Sequence, residues 1–483
     1  MRISTLAALT CLAVACAAPE PSPPASVGRS IDLTPLHDQN PDPDIVEVTL
    51  VASPARMELL TGHLAEVWAY RDGSTPDAAP RIPGPLIEAK QGDRVIVHLR
   101  NELEEGTTVH FHGVRLPEAM DGAHEIIFPG ATFEYSFVAK DAGTFWYHPH
   151  FHADLQIERG LYGPMIIRED ARPASPAERI LVLDDVKLTS DGALADEWTA
   201  MDIAHGRQGN VLLVNGVPAV VEASPQAPSP SAVARPVVRS TAGSRERWHL
   251  VNAANGRFFH VTVPGHPFEV IGWDGGLLPA PYPAGTLLLA PGERYDVLLP
   301  VPSSPGERFE LWSLPYDRGD GIGDASESAL LDIEVGRGAP FDAAPGHAGA
   351  IAALPVDSAT VTRSFTLDED LGSKYGPLFF INGEIWPFNK PIDAHLGDLE
   401  IWEVQNAMGD DHPFHLHGMF FQVLTRANVA EPRLGWKDTV LVGRSSSVRF
   451  AVRYDALGMW MYHCQIPEHA ERGMMGEVMV TAP

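Results

Sequence analysis

The stretch "FEYSFVAKDAGTFWYHPH", residues 133–150, returns near the far end of the chain as "VRFAVRYDALGMWMYHCQ", residues 448–465. Both copies open with alternating apolar and polar residues, the period-two signature of a strand with one buried face. Both close on Asp-Ala, then Trp, then Tyr-His. A second pair of segments repeats alongside them, "VHFHG" (109–113) and "FHLHG" (414–418). Between the two, "GHPFEVIGWDG" (265–275) echoes "DHPFHLHG" (411–418), but Glu269 and Ile271 stand where His415 and His417 do. Self-similarity of this kind marks a duplicated structural unit. The chain therefore reads as three strand-rich units, with histidines kept at the two ends and lost in the middle.

Length agrees with that count, since 483 residues at about 150 per domain suggest three domains. The expected boundaries are 45–170, 178–336 and 360–483, with loop-like "EDARPASPAER" (169–179) and "GRGAPFDAAPGHAGAIAALP" (336–355) between them. Gly and Pro number 43 each, which favours short strands joined by turns. Runs such as "DRVIVHLR" (93–100), "FHVTVPG" (259–265) and "SVRFAVRY" (447–454) supply the strands. The fold class expected is all-β, three β-sandwich domains.

A formal net charge of −28 argues against a nucleic-acid partner, because phosphates would be repelled. Small neutral or cationic partners fit better. The three cysteines, Cys11, Cys16 and Cys464, provide no disulfide framework for a chain of this size. Residues 1–44 read as a leader and a Pro/Ala-rich tether. Arg2 precedes an apolar run too short to span a bilayer, which suggests an export signal and a periplasmic or cell-envelope protein. "LAVAC" (12–16) also looks like a lipoprotein cleavage box, with Cys16 as a possible lipid anchor; ordinary cleavage near Ala17 is the alternative.

The histidines fall in four groups: His110 and His112; His148, His150 and His152; His412, His415 and His417; His463, Cys464 and His469. In a strand, residues two apart share a face and neighbours face opposite ways. Each of the pairs His110/His112, His148/His150 and His415/His417 can thus present two imidazoles to one spot. Adjacent His463 and Cys464 must address two different spots, and His412 can turn with Cys464. One centre would collect Cys464, His412, His469 and Met474, the ligand set of a blue copper site. The other would collect His110, His112, His148, His150, His415, His417 and His463, and so many imidazoles beside a blue copper set point to copper there too. A single HxH pair, a lone Met or a lone Cys is more often packing than a ligand. Four matched segments with interlocking parity are not explained that way.

"HFHG", "WYHPH", "HPFHLHG" and the "HC" segment with its later His and Met resemble the copper signatures of the multicopper oxidases, the family of laccases and bacterial cuprous oxidases. The resemblance runs from about residue 45 to the C-terminus and includes "VNAANGRFF" (251–259) and "PGERYDVLL" (291–299). It implies three cupredoxin-like Greek-key domains, a type 1 copper in the third, and a type 2 with two type 3 coppers between the first and third. By the same resemblance His412, Cys464, His469 and axial Met474 hold the type 1 ion, and His110 with His415 the type 2. His150, His417 and His463 would hold one type 3 ion; His112, His148 and residue 465 the other. The implied reaction takes single electrons from a reductant through Cys464 and His463 and reduces dioxygen to water.

Both the internal repeat and the family pattern predict His at 465, and the chain has Gln465. An amide oxygen is a harder, weaker copper ligand than imidazole, so Gln465 is a doubtful ligand and one type 3 site is in question. His152 shares the parity of His148 and His150, although a supporting or structural place suits it better than ligation. Many relatives have an acid directly after the last type 1 His; here Ala470 stands there, with Glu468 and Glu471 nearest. Asp121 matches the other acid near the cluster and would orient water or supply protons, the plain alternative being a turn aspartate.

The reductant should dock near His412, where Met408, Asp410 and Asp411 lie, and "GMWMYHC" (458–464) adds Met459 and Met461 just before Cys464. Thioethers and carboxylates would suit a metal ion, yet methionines so near a core usually pack, and no Met-rich insertion occurs. A phenol or amine is the first expectation and a metal ion the second. Loss of oxygen reduction through Gln465, leaving a copper-binding or electron-transfer scaffold, is the competing reading. A two-domain nitrite reductase is disfavoured by the third unit and by the paired histidine motifs.

Overall fold

The structure, a computed structural model, describes residues 31–169, 178–222, 233–319, 321–324, 326–345 and 348–483. The leader with Arg2, Cys11 and Cys16 lies outside the described residues, as does most of 169–179. Among the described residues no helix is long and apolar enough to cross a membrane.

The alternating runs form strands. "DRVIVHLR" supplies Arg94–Asn101, in which Val95, Val97 and Leu99 are buried and the residues between them are more open. In the first unit, Arg94–Asn101 pairs in parallel with Ile45–Leu60 and antiparallel with Thr132–Val138. The opposing sheet orders Ile87–Lys90, Gly163–Arg168, Gly143–His148 and His110–His112. The third unit repeats the plan, with Val361–Asp370 parallel to Leu399–Asn406 in one sheet. Its other sheet runs Ile392–His395, Met475–Thr481, Gly458–Cys464, His412–Leu416 and Thr439–Val442. The middle unit packs a seven-stranded sheet against a five-stranded one. Three cupredoxin-like β-sandwiches result.

One continuous apolar cluster runs from Leu50, Val97 and Phe137 of the first unit to Trp402, Phe414 and Phe450 of the third, so the end units meet through a shared interior. The middle unit keeps a core of its own around Trp248, Val270 and Leu331. Each large apolar side chain fully buried there contributes about 1.5–3 kcal/mol.

The far end of the segment read as leader and tether departs from that expectation. Ile31 is buried in the middle unit's core and Leu36 in the shared one, with the Leu36 amide bonded to Leu86 O at 2.8 Å. Apolar side chains at these two positions give the backbone something to bury, which the Ala/Pro/Ser tract before them lacks.

Candidate metal centre

Strand His110–His112 pairs with Gly143–His148 so that His110 lies opposite His148 and His112 opposite Trp146. In the third unit, His415 lies opposite His463 on one side and Thr439 on the other. Of the three histidine pairs spaced two apart, strand parity applies to His110 and His112 only. His148 ends its strand and His415 is the penultimate residue of His412–Leu416, so His150 and His417 lie past the strand ends. The chain bends there, with Gly418 at φ 66° and His152 at φ 45°. The turns, rather than the pleat, carry the second ring of those two pairs, His150 and His417, inward.

The seven rings meet at the seam and stack across it. His110 stacks on His417 at 3.9 Å between centroids and His112 on His415 at 3.8 Å. One nitrogen of most rings is already engaged. The Nδ1 atoms of His110, His148, His415 and His463 lie 2.8–2.9 Å from the carbonyls of Asp121, Pro149, Asp438 and Cys464. His417 Nδ1 is 2.7 Å from Asp121 Oδ2, and His112 Nε2 is 3.0 Å from Thr439 Oγ1 and 3.2 Å from Asp438 Oδ1. Acceptors at these positions fix each tautomer and leave the other nitrogen as a lone pair facing inward.

The inward nitrogens crowd one another. His463 Nε2 is 2.9 Å from His417 Nε2 and 3.3 Å from His150 Nε2, and His148 Nε2 is 3.5 Å from His112 Nδ1. His110 Nε2 and His415 Nε2 are buried with no partner. Lone pairs set this close repel unless a cation lies between them, so the site fits metal ions, and an all-imidazole set suits copper. Burial, reinforced by Arg294 and neighbouring rings at His112 and mainly by other rings elsewhere, holds His112, His148, His150, His415 and His417 well below the ordinary histidine range. Burial takes His463 down to about 4. Neutral rings are the form that binds metal.

On the other face of the same strand, Cys464 Sγ lies 3.5 Å from His412 Nδ1 and 3.6 Å from His469 Nδ1, and these two nitrogens are 3.1 Å apart. All three residues are buried. Met474 is buried beside them, its carbonyl 3.1 Å from the Cys464 amide and its own amide 3.0 Å from His469 O. Without a metal, burial pushes the Cys464 thiol up. Phe379 stacks on His469 at 4.1 Å. His412 Nε2 is 2.8 Å from Asp410 Oδ1. Burial would raise the Asp410 carboxyl, but the His205 ring 3.6 Å away, the hydrogen bond from His412 and the Arg318 charge hold it well below the usual carboxylate range.

Gln465 leaves the strand with its amide bonded to Pro413 O at 2.8 Å, and its side chain is buried with Oε1 lacking a partner. A Cβ built on Gly292, whose φ is 81°, would lie 2.7 Å from Gln465 Cγ and 3.1 Å from His112 Cε1. The amide therefore sits on the His112 side of the nest, and Gly292 is the residue that leaves it room.

Sequence reasoning missed the charges behind this wall. Arg294 of the middle unit is fully buried and grips Asp438 of the third through two bonds of 2.6 and 2.7 Å. It also donates to Thr144 O of the first unit at 3.0 Å. Lys437 bridges Asp274 at 3.0 Å and Glu293 at 3.1 Å. The only signal in the sequence was the pair of charged residues leading into each apolar run, in "PGERYDVLL" and "WKDTVLV".

His152 lies outside the nest, its side chain 54% exposed and 3.6 Å from Glu105. Ala470 packs with Met461 and Met475 in an apolar pocket. Glu468 is buried, accepts from Asn255 at 2.9 Å, and is pushed well up by burial. Glu471, also raised by burial, accepts from the Ala153 amide at 2.8 Å. Met408 is buried as well.

Three sandwiches with a nest of imidazoles at the seam of the outer two and a His₂Cys trio behind it define a copper redox protein with two coupled centres. Family models for multicopper oxidases match residues 71–172, 186–313 and 357–483. Multicopper oxidase MmcO of Mycobacterium tuberculosis is 30% identical over 471 residues, covering 89% of this chain and 86% of its own. The structure of a multicopper oxidase from Campylobacter jejuni, described as a metallo-oxidase, superposes with a TM-score of 0.78 at 27% identity, covering 93% of this chain and 94% of that one. A laccase-like multicopper oxidase from Ochrobactrum sp., active on lignin model compounds, gives 0.79 at 27% identity and covers 93% and 99%. The chain belongs to the multicopper oxidase family: it is a copper-holding oxidoreductase with dioxygen as acceptor, and the scaffold alternative is not favoured.

Proposed function

We propose that the protein is laccase-like, drawing single electrons from a phenolic or aromatic amine reductant beside His412 and passing them through Cys464 and His463. The observation that carries this is the split between those two neighbours. Cys464 Sγ lies in the trio with His412 and His469, while His463 Nε2 lies with His150 and His417. One peptide unit thus joins the two centres. When bound, copper supplies the one-electron uptake and the four-electron reduction of dioxygen to water.

The chain's own residues do the rest. His412, Cys464, His469 and Met474 make the type 1 set. His110 and His415, with their unpartnered Nε2 atoms, make the type 2 set. His150, His417 and His463 make one type 3 set, and His112 with His148 the other, completed by Gln465 Oε1 or water. Asp121 fixes His417 and His110 and keeps Oδ1 without a hydrogen-bond partner, which suits it to hold water or hand on a proton.

A phenol or amine is favoured over a metal ion because Met408, Asp410 and His412 are buried and the Asp410 carboxylate is already engaged. Export, with a lipid anchor at Cys16, remains our reading of the first residues, and fatty-acid labelling of the wild type against Cys16→Ser tests it. Copper analysis with oxygen uptake on a phenolic donor tests the oxidase. Four coppers, or three where the Gln465 site stays empty, a blue band and uptake are expected; blue protein without uptake on any reductant would refute it.

A further inference from the structure

We propose that Arg318, supplied by the middle unit, is a specificity-determining residue: its guanidinium occupies a cation seat beside the outward nitrogen of His412 and so excludes metal ions as reductants. The inference rests on the oxidase reading above.

The seat is built from four groups. Asp410 Oδ2 is 3.3 Å from Arg318 Nη2, and Gly256 O is 2.6 Å from Nη1. The carbonyl of His205 also accepts from Nη2. His205 Nδ1 is 3.6 Å from the same Asp410 oxygen and is buried without a hydrogen-bond partner. A carboxylate oxygen and two carbonyls hold the guanidinium, with an imidazole nitrogen beside the carboxylate, and oxygen donors with one imidazole are a set that a small metal ion takes. Here the point holds a charge that cannot be lost, since guanidinium stays protonated in proteins. Arg318 and Asp410 are fully buried, and Phe258 lies under the guanidinium at 5.3 Å.

The backbone fixes the arrangement. Asp411 N bonds to Arg318 O at 2.9 Å, and Gly319 bridges to Asp410. Gly319, at φ 120°, abuts the Gly409 and Asp410 backbone so closely that a Cβ would lie 2.7 Å from Asp410 Cα. The guanidinium is thus delivered on a strand that has no room to shift. Because Asp410 Oδ1 holds His412 Nε2 at 2.8 Å, a metal ion ligated at Oδ2 would be one carboxylate away from the type 1 ligand. Arg318 takes that place permanently, and its positive charge next to His412 favours the reduced state of the type 1 site.

The test uses copper-loaded full-length protein with silver(I), a redox-inert analogue of copper(I), as the probe. Arg318→Leu should bind one silver ion more than the wild type, and its type 1 potential, read from the blue band, should fall. Its preference for ferrous or cuprous ions over a phenol should rise by at least about tenfold. Arg318→Lys should bind no extra silver, and Arg318→Leu/Asp410→Asn should lose both the silver and the fall in potential. An Arg318→Leu protein with neither extra silver nor a changed potential overturns the proposal. Should that variant fail to load copper, Asp410→Asn alone decides: the potential must rise, and an unchanged value refutes the link from Asp410 to His412. Failure of the oxidase reading would look different, namely no oxygen uptake with any donor while silver binding and potentials behave as stated.

Discussion

His463 and Cys464 are consecutive residues whose reactive atoms face different centres: His463 Nε2 is 2.9 Å from His417 Nε2, and Cys464 Sγ is 3.5 Å from His412 Nδ1. The strand alternation that separates them also makes them a covalent bridge. Cys464→Ser should abolish the blue band and lower reductant-driven oxygen uptake by more than the ~10–100-fold typical of outer-sphere changes. The histidine nest should still load copper. Metal analysis with visible spectra checks this, and a variant that keeps its uptake would break the proposed route.

Gln465→His should raise turnover or the copper count and leave the blue band unchanged, because Cys464, His412 and His469 are untouched. The Gln465 side chain already abuts the space that Gly292 keeps open beside His112. If the histidine instead lowers oxygen reduction, the amide is a tuned ligand and our account of it is wrong. Gly292→Ala should be harmful with either residue at 465, since it combines a positive φ with a close approach.

Arg294→Met leaves Asp438 buried and uncompensated, and the expected loss is about 3–5 kcal/mol in the apoprotein. Urea unfolding of the metal-free variant against the wild type measures it. The same change frees the carboxylate held against His112 Nε2 at 3.2 Å, so copper affinity should fall as well. A stability unchanged within about 1 kcal/mol would show that water replaces the guanidinium.

Acid should unfold the apoprotein early. His112, His148, His150, His415, His417 and His463 titrate lower when folded than the usual 6.5. Below about pH 6.5 the unfolded chain binds protons that the folded one refuses. Stability is therefore complete above that value and declines as pH falls, by roughly 3 kcal/mol from His463 alone once its folded value of about 4 is passed. Bound copper competes with those protons and should move the onset to lower pH. Thermal unfolding of both forms from pH 8 to 5 checks this; a metal-free midpoint that is flat or rises on acidification contradicts it.

The repeat and the histidine spacing made the sandwiches and the two centres legible, because each signature is local. "HFHG" and "HPFHLHG" need only their own few residues to be recognised. Parity was a poorer guide at His150 and His417, which lie beyond strand ends where turns set direction. Asp438, Arg294 and Arg318 were invisible for a different reason. Arg294 reaches Asp438 across 144 positions and Arg318 reaches Asp410 across 92, and no local pattern encodes such partners. Asp410 could be placed near His412 from the sequence, but its occupation by a cation could not.

The grip of Arg294 on Thr144, Asp438 and its own Gly292 O also explains why a copper-free repeat persists. The central copy works as a keystone: among the described residues it adds no member to the candidate metal clusters, yet the wall behind His112 would gape without it. A shortened two-unit version joining the ends directly would inherit every proposed ligand and still lack the buttress that aims them, so truncation should abolish assembly of the nest before it touches the fold of either end.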